Sequence, residues 1–139
     1  MKEELFKIEE LIENFDSIDK STIKDLMQNF FTKISNQIEN YIGDYPTFIE
    51  PVYLEDNIEI GDDVLLGPNV YIGANSVIQD YVEISNTIIF NNVIIGQNFK
   101  LENCIVAKNS ALNFKNLNMK NSVLIGTANS KNELKSKEF

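Results

Sequence analysis

Over residues 48–129 a large aliphatic residue returns about every six positions, and the repeat is most regular over 54–112. An Asn or Asp usually stands three residues later, as in Leu54-Glu-Asp-Asn57 and Ile72-Gly-Ala-Asn75. This period matches neither the helical period nor the alternation of an ordinary strand. Because Asn and Asp tolerate left-handed backbone better than most residues, each hexad is predicted to hold a short strand and a turn.

The aliphatic positions fall into three columns, and each column recurs after three hexads. In the first column the separations are 18, 17, 17 and 18 residues. A register kept over more than four repeats predicts a solenoid with a triangular cross-section, whose columns point inward from three faces. The columns are Leu54, Ile72, Ile89, Val106 and Leu124; Ile60, Ile78, Ile95 and Leu112; and Leu66, Ile84, Leu101 and Met119.

The separations of 17 have a local cause on the third face, where successive segments lack one turn residue. Because the shortened turns recur at the same place in successive coils, they are predicted to stack. This stacking predicts a tight corner with Asn86, Asn103 and Asn121 in one column. The shortened segments place Cys104 at a small inward position. We therefore expect Cys104 to be a core residue and not a reactive thiol.

One outward column of the first face is apolar, which a solvated face would not be. Either the N-terminal helices or neighbouring subunits must cover it, and the sequence favours neither. The residues of this column, with Phe90 beside them, are Tyr53, Tyr71, Ile88, Ile105 and Val123.

Two helices are predicted before the repeat. The first follows an apolar stripe over 3–15, and the second runs from a cap at Ser21 or Thr22 to about Tyr41, with Gly43 as a stop. Their stripes are too wide for a two-stranded seam. Burial against the rest of the domain is thus favoured over the alternative, an intermolecular bundle built on Phe30, Phe31, Ile34 and Ile38.

These patterns divide the chain into three parts. Residues 1–43 form a helical segment that caps the solenoid or oligomerises, and 44–130 form the solenoid itself. Residues 131–139 are polar and make a poor cap for an open coil, whose core and strand edges need covering. The tail is expected to be weakly ordered or to be completed by a partner.

The amino-acid composition excludes several kinds of site and partner. Histidine is absent, which removes the commonest general base and every His-ligated metal site. A net charge of −9 with only 12 basic residues argues against nucleic acid or an anionic membrane as a partner. The single cysteine, the acidic N-terminus and the lack of a long apolar run fit a cytoplasmic protein. No cofactor or metal is expected.

The hexads from Ile60-Gly-Asp-Asp-Val-Leu to Ile72-Gly-Ala-Asn-Ser-Val resemble those of hexapeptide-repeat proteins. The run Ile84-Ser-Asn-Thr-Ile-Ile-Phe-Asn-Asn-Val-Ile-Ile-Gly is similar to the C-terminal β-helix region of sugar-phosphate nucleotidyltransferases. This resemblance implies a left-handed parallel β-helix. With the repeat count, the expected fold is mainly β: about 4–5 triangular coils preceded by two α-helices.

The chain also departs from these relatives. It carries no Gly-rich nucleotide-binding loop, so the nucleotidyltransferase catalytic domain is expected to be missing. Relatives that acetylate sugar phosphates use a His base and a Tyr on the β-helix. The matching stretch has Gln97 in the place of that His and Lys100 in the place of that Tyr.

Two functional hypotheses stay open. The first is a non-catalytic module of the sugar-nucleotidyltransferase type that oligomerises, docks or regulates, as a homo-oligomer (trimer or dimer) or with a nucleotidyltransferase partner. The second is a transferase, nucleotidyl- or acyltransferase-like, that binds a phosphorylated ligand between subunits. The candidate ligand residues are Lys100, Lys108, Lys115 and Lys120, which in the plainer interpretation are solvated corner residues.

Overall fold

The computed structural model describes residues 1–39 and 41–139. Helix α1 spans Lys2–Glu13, a 3-10 turn follows at Phe15–Ser17, and α2 spans Lys20–Lys33. The strands are β1 Tyr41–Gly43, β2 Thr47–Phe48, β3 Val52–Leu54, β4 Ile58–Ile60, β5 Leu65–Leu66, β6 Val70–Ile72, β7 Val77–Ile78, β8 Glu83–Ser85, β9 Thr87–Ile89, β10 Ile94–Ile95, β11 Phe99–Glu102, β12 Ile105–Val106, β13 Ala111–Leu112, β14 Leu117–Lys120, β15 Ser122–Ile125, β16 Thr127–Ala128 and β17 Lys135–Glu138. A second 3-10 turn lies at Lys131–Glu133.

The strands form a parallel β-helix, and each coil gives one strand to each of three sheets. The first sheet has the order β17-β15-β12-β9-β6-β3, the second β1-β4-β7-β10-β13-β16, and the third β14-β11-β8-β5-β2. The third sheet has five strands, so the solenoid has five coils. The fold class predicted from the hexads, a β-helix preceded by two helices, is confirmed.

The predicted inward columns are also confirmed. In the first sheet Leu54 pairs with Ile72, and Ile72 with Ile89. The second and third columns pair in the same register, for example Ile60 with Ile78. The first-sheet column is at most 1 % exposed, and Cys104 is fully buried among these residues. The hexad period therefore exists because its first position fills the core of the prism.

Asparagines build the corners, as the repeat predicts. The residues with positive φ at the corners include Asn57 at 62°, Asn86 at 48° and Asn103 at 55°. Their amides bond between coils: Asn57 Nδ2 donates to Asn75 Oδ1 at 3.1 Å. The tight corner predicted on the third face holds Asn69, Asn86, Asn103 and Asn121 in one column.

The glycine in the second hexad position is explained by the coil stacked next to it. A Cβ at Gly61 would meet the Asp80 carboxylate, and one at Gly73 would meet the Asn91 side chain. That Asn91 oxygen instead accepts a hydrogen bond from the backbone N–H of Ala74, at 3.1 Å. Glycine is needed here so that a side chain of one coil can reach the backbone of the next.

The predicted bounds of the second helix are wrong at both ends. Asp19 caps it, accepting from the Thr22 backbone N–H at 3.2 Å, and the helix ends at Lys33. Of the predicted continuation to Tyr41, the described residues are not helical, and residue 40 lies outside the described residues. Gly43 ends strand β1 and pairs with Ile60, so the β-helix begins before the predicted boundary at residue 44.

The continuation is extended because it pairs with the edge of the first sheet. Gln37 forms a parallel bridge with Tyr53 of β3, donating to Val52 O at 2.9 Å and accepting from Leu54 N–H at 2.7 Å. Asn36 accepts from the Val52 N–H at 2.8 Å. Ile38, whose spacing resembled that of a helix, instead packs half-buried against the solenoid core.

The C-terminal tail differs from the expectation of a weakly ordered segment. Strand β17 pairs antiparallel with β15, for example Val123 with Lys137. Phe139 is buried against the helices, and Lys137 Nζ donates to the Asp16 carbonyl at 2.7 Å. The tail covers the last strand of the first sheet, because its backbone can pair even though its side chains are polar.

Candidate functional site

The apolar outward column of the first sheet is covered by the chain's own helices. Tyr71, Ile88, Ile105 and Val123 are at most 4 % exposed, in one cluster with apolar residues of α1 and α2. The sequence left open whether the N-terminal helices or neighbouring subunits cover this face, and in the structure the helices cover it. The helices lie along the side of the β-helix and not over its end, so the column is part of the core and not a free binding surface.

An ion pair joins the two helices to each other. Lys33 of α2 pairs with Glu4 of α1, whose side chain is buried. The Lys33 ammonium and the backbone N–H of Glu4 hold the pKa of the Glu4 carboxyl low, at about 2. The same contact raises the pKa of Lys33. The pair is structural, since it fixes the helical hairpin that covers the first sheet.

The four predicted ligand lysines do not converge. Lys100 and Lys120 lie on the outer face of the third sheet, where they pair with Glu83 at 3.9 Å and Glu102 at 3.5 Å. Lys108 lies on another side and pairs with Glu9 of α1 at 3.5 Å, while Lys115 is exposed between β13 and β14. Each of the three pairs places a carboxylate where a phosphate would have to bind.

Two side chains of types that can serve in catalysis, the Cys104 thiol and the Tyr71 phenol, are buried. Burial raises the pKa of the Cys104 thiol to about 11, so the thiolate nucleophile is scarce near neutral pH. Burial likewise raises the pKa of Tyr71, whose hydroxyl donates to Glu55 at 2.8 Å.

In residues 1–39 and 41–139 no three His, Cys, Asp or Glu side chains are grouped to hold a metal ion. In the same part of the chain, no helix is long and apolar enough to cross a membrane.

Exposed apolar residues gather in the first coil. Ile42 is 70 % exposed, Tyr45 94 % and Ile49 46 %, and we call these three the first-coil patch. Ile42 lies in β1, and Tyr45 and Ile49 lie before and after β2. Strands β1 and β2 are edge strands of the second and third sheets. Two coils further along, Tyr81 occupies the same corner as Tyr45 and is 53 % exposed. Large apolar side chains at open strand edges are the kind of surface that a partner covers.

Carboxylates lie at the corner that carries Tyr45, because Asp44, Asp62 and Asp80 precede the positive-φ residue of that corner in three successive coils. Repulsion from the Asp80 carboxylate raises the pKa of Asp62, and desolvation and the charges of Asp44 and Asp63 add to the effect. The Asp80 carboxylate also accepts a hydrogen bond from the Asp62 backbone N–H at 2.9 Å. A basic group on a partner would relieve this repulsion, so the patch suits an apolar surface that carries Lys or Arg.

Two grooves lie where the helices meet the corners. One, of about 430 Å³, runs between α1 and the corner that carries Asp56, and Phe6, 64 % exposed, stands at its rim. The other, of about 470 Å³, runs between α2 and the tight corner and is lined by Asn69, Asn86 and Asn103. Both are of the size that holds small molecules.

Sequence reasoning missed the first-coil patch, because it assigned Ile42 to a helix. The spacing of the residues could have revealed that the solenoid register extends back to Tyr45. Tyr45 precedes Asp63 by 18 residues, and Asp63 precedes Tyr81 by 18 residues. All three have positive φ, between 50° and 59°. The grooves carried no such signal, since they depend on where the helices lie.

One family model matches most of the β-helix sequence. Residues 48–135 match the model of the family described as "GMPPB C-terminal domain". Among curated proteins, none matches the sequence. One solved structure, a hexapeptide-repeat containing-acetyltransferase from Vibrio cholerae, is 19 % identical, with a TM-score of 0.32. That match covers 95 % of this chain and 86 % of the other, and at this TM-score it supports no argument about function. The matched region is more than half of the chain, and the chain belongs to the GMPPB C-terminal domain family.

Proposed function

We propose that this chain is a non-catalytic β-helix module that docks onto a nucleotidyltransferase through its first coil. The observation that carries the proposal is the first-coil patch, with Tyr45 94 % exposed beside two open strand edges. The helices cover the first sheet and the tail covers its last strand. Of the five exposed large apolar side chains among the described residues, three lie in the first coil.

The family supports the choice of partner. Its model is described as a C-terminal domain, so in that family the β-helix follows another part of the same protein. The first coil is the end nearest to whatever precedes a β-helix. A nucleotidyltransferase domain is therefore the partner that we propose for the first-coil patch, either in the same protein or on a separate chain in a cytoplasmic complex.

Charge defines the partner surface further. Asp44, Asp62 and Asp80 lie beside the patch, and their mutual repulsion raises the pKa of Asp62. Association with a basic apolar surface would be fastest at low salt and would weaken as salt screens these charges. A second copy of this chain would bring the same carboxylates to the contact, which disfavours a homo-oligomer through this patch.

The test is association with a purified sugar-phosphate nucleotidyltransferase from the same cell, followed by light scattering after gel filtration. The wild-type chain should form a complex that salt weakens, and Ile42→Asp or Tyr45→Asp should abolish it. Phe6→Asp is the matched control, because Phe6 is also exposed but lies on α1. A complex that persists in both patch variants would contradict the proposal, as would a wild-type chain that only self-associates.

The alternative, a transferase, is tested separately by turnover. The chain should release no coenzyme A from acetyl-CoA and no pyrophosphate from nucleotides in the presence of sugar phosphates. A rate that depends on enzyme concentration and survives repurification would overturn the non-catalytic assignment.

A further inference from the structure

A column of side chains along one corner of the solenoid changes from acidic to basic. At this corner, between the second and third sheets, the Tyr81 N–H donates to Asp62 O and the Asn98 N–H donates to Asp80 O, both at 2.9 Å. These bonds align the residues that precede the positive-φ position in successive coils. We call this alignment the charged column, and from the first coil to the last it contains Asp44, Asp62, Asp80, Gln97 and Lys115.

Lys131 continues the charged column by one coil. Strand β16 keeps the register, since Leu112 pairs with Ala128 and the Asn113 N–H donates to Ala128 O at 2.8 Å. Lys115 follows Leu112 by three positions, and Lys131 follows Ala128 by the same number. The column therefore begins with aspartates and ends with two lysines.

The corner between the first and second sheets shows the same change of charge. There the Asn75 N–H donates to Asp56 O at 3.0 Å. By the same alignment this second column contains Asp56, Ala74, Asn91 and Lys108. Residues 34–99 contain no Lys or Arg, whereas residues 100–139 contain seven lysines against three glutamates. The β-helix is thus acidic at its first coils and basic at its last.

Like charges lie together at each end of the charged column. Lys115 and Lys131 are exposed, and neither takes part in an ion pair among the described residues. At the other end the carboxylates of Asp44 and Asp62 lie side by side. The second sheet also has an edge strand at each end, β1 at the acidic end and β16 at the basic end. Two copies placed head to tail would bring opposite charges and two open strand edges together.

We propose that the last coil of one copy of this chain binds the first coil of the next copy. Lys115 and Lys131 then lie against Asp44 and Asp62 of the next copy, and β16 pairs in parallel with its β1. Two first-coil patches in contact would bring like charges together, whereas this head-to-tail contact joins opposite charges. The contact covers the first-coil patch, so self-association competes with the docking of a nucleotidyltransferase, and this competition rests on the proposed function.

The experiment measures the mass of the full chain in solution by analytical ultracentrifugation at rising protein concentration. A head-to-tail contact leaves an open end on each assembly, so growth does not stop at two copies. At low salt the average mass should rise steadily with concentration, and at high salt it should return to that of one copy, because salt screens the charges. A single copy at every concentration, or a dimer that grows no further, would overturn the proposal.

Exchange of charges between the two ends identifies the contact. Asp44→Lys and Lys131→Asp should each weaken self-association at least about tenfold, because each places like charges across the contact. A mixture of the two variants, or one chain that carries both substitutions, should associate again. Lys24→Asp, at an exposed position of α2, makes the same change of charge away from both ends and should behave like the wild type. No recovery in the mixture, or equal weakening by Lys24→Asp, would contradict the assignment.

Lys131→Asp also separates this inference from the docking proposal. Its first-coil patch is unchanged, so it should bind the nucleotidyltransferase at least as tightly as the wild type does. Self-association of the wild type without any nucleotidyltransferase complex, even for Lys131→Asp, would contradict the docking proposal alone. Docking by a wild-type chain that never self-associates would contradict the head-to-tail contact alone.

Discussion

The ring of Phe30 meets the ring of Tyr71 edge to face, with centroids 5.6 Å apart and an interplanar angle of 89°. Phe30 lies on α2 and Tyr71 in β6, so this contact joins the helical hairpin to the strand next to the β3 edge of the first sheet. Tyr71 also stacks on Tyr53 of the neighbouring coil, at 5.8 Å. The helices therefore belong to the same packed unit as the β-helix.

Phe30→Ala should destabilise the chain by about 3–5 kcal/mol, because a fully buried aromatic ring leaves a cavity that neighbours fill only in part. Urea denaturation followed by circular dichroism measures the change. Phe6→Ala, at a ring 64 % exposed, is the control and should cost about 0.5 kcal/mol or less. Equal losses in the two variants would mean that α2 does not pack on the sheet as described.

Because of the Glu4–Lys33 pair, the stability of the chain should fall at acidic pH. The pKa of Glu4 is lowered from 4.5 to about 2 in the folded chain, so its stabilisation is present above pH 4.5 and is lost as pH falls towards 2. Glu4→Gln should therefore be less stable than the wild type at neutral pH, and the difference should shrink across that window. Glu13→Gln, at an exposed position of α1, serves as the control. Parallel pH profiles for wild type and Glu4→Gln would exclude this role.

Asp62 should have the opposite effect on how the stability of the chain changes with pH. Its folded pKa is raised above 3.8, so the native state loses stability as pH rises through that pKa. Asp62→Asn should raise the melting temperature at neutral pH, and the gain should vanish below pH 3.8, where both side chains are neutral. Asp56→Asn, at a different corner, should not show this pattern. A lower melting temperature for Asp62→Asn at neutral pH would contradict the repulsion.

The corner asparagines should tolerate glycine better than alanine. Asn103 has a φ of 55°, which costs a residue with a Cβ about 1–2 kcal/mol. Asn103→Ala should thus be less stable than Asn103→Gly, although both lose the bond to Asn121. Thermal denaturation of the pair gives the comparison. Equal melting temperatures would show that backbone conformation does not govern this corner.

Cys104 should be unreactive in the folded chain. It is fully buried, and its pKa is raised to about 11. Iodoacetamide at mildly alkaline pH should leave the native protein unmodified and should alkylate it in denaturant, as read by mass spectrometry. Fast alkylation without denaturant would mean that the third-face corner opens in solution.

Much of the β-helix was predictable because its repeat is local. Each hexad contains its own strand, its own turn residue and one inward side chain, so Leu54, Ile72 and Ile89 could be aligned by counting. The tight corner at Asn103 and the buried position of Cys104 followed from the same count. The predicted end of the second helix was wrong because strand pairing overrides the helical spacing of the apolar residues there. Gln37 bonds to the edge of β3, and no local sequence pattern reveals that bond.

The sequence by itself determined the solenoid, its register and the existence of an apolar face centred on Tyr71, because these depend on residues at fixed separations. Only the tertiary structure decided what lies on that face, how the tail ends the first sheet, and which lysines meet carboxylates. Those outcomes depend on contacts between segments far apart in the chain, such as Lys33 with Glu4 and Lys137 with Asp16. The energy of such contacts depends on how whole elements pack, and a six-residue repeat contains no information about it.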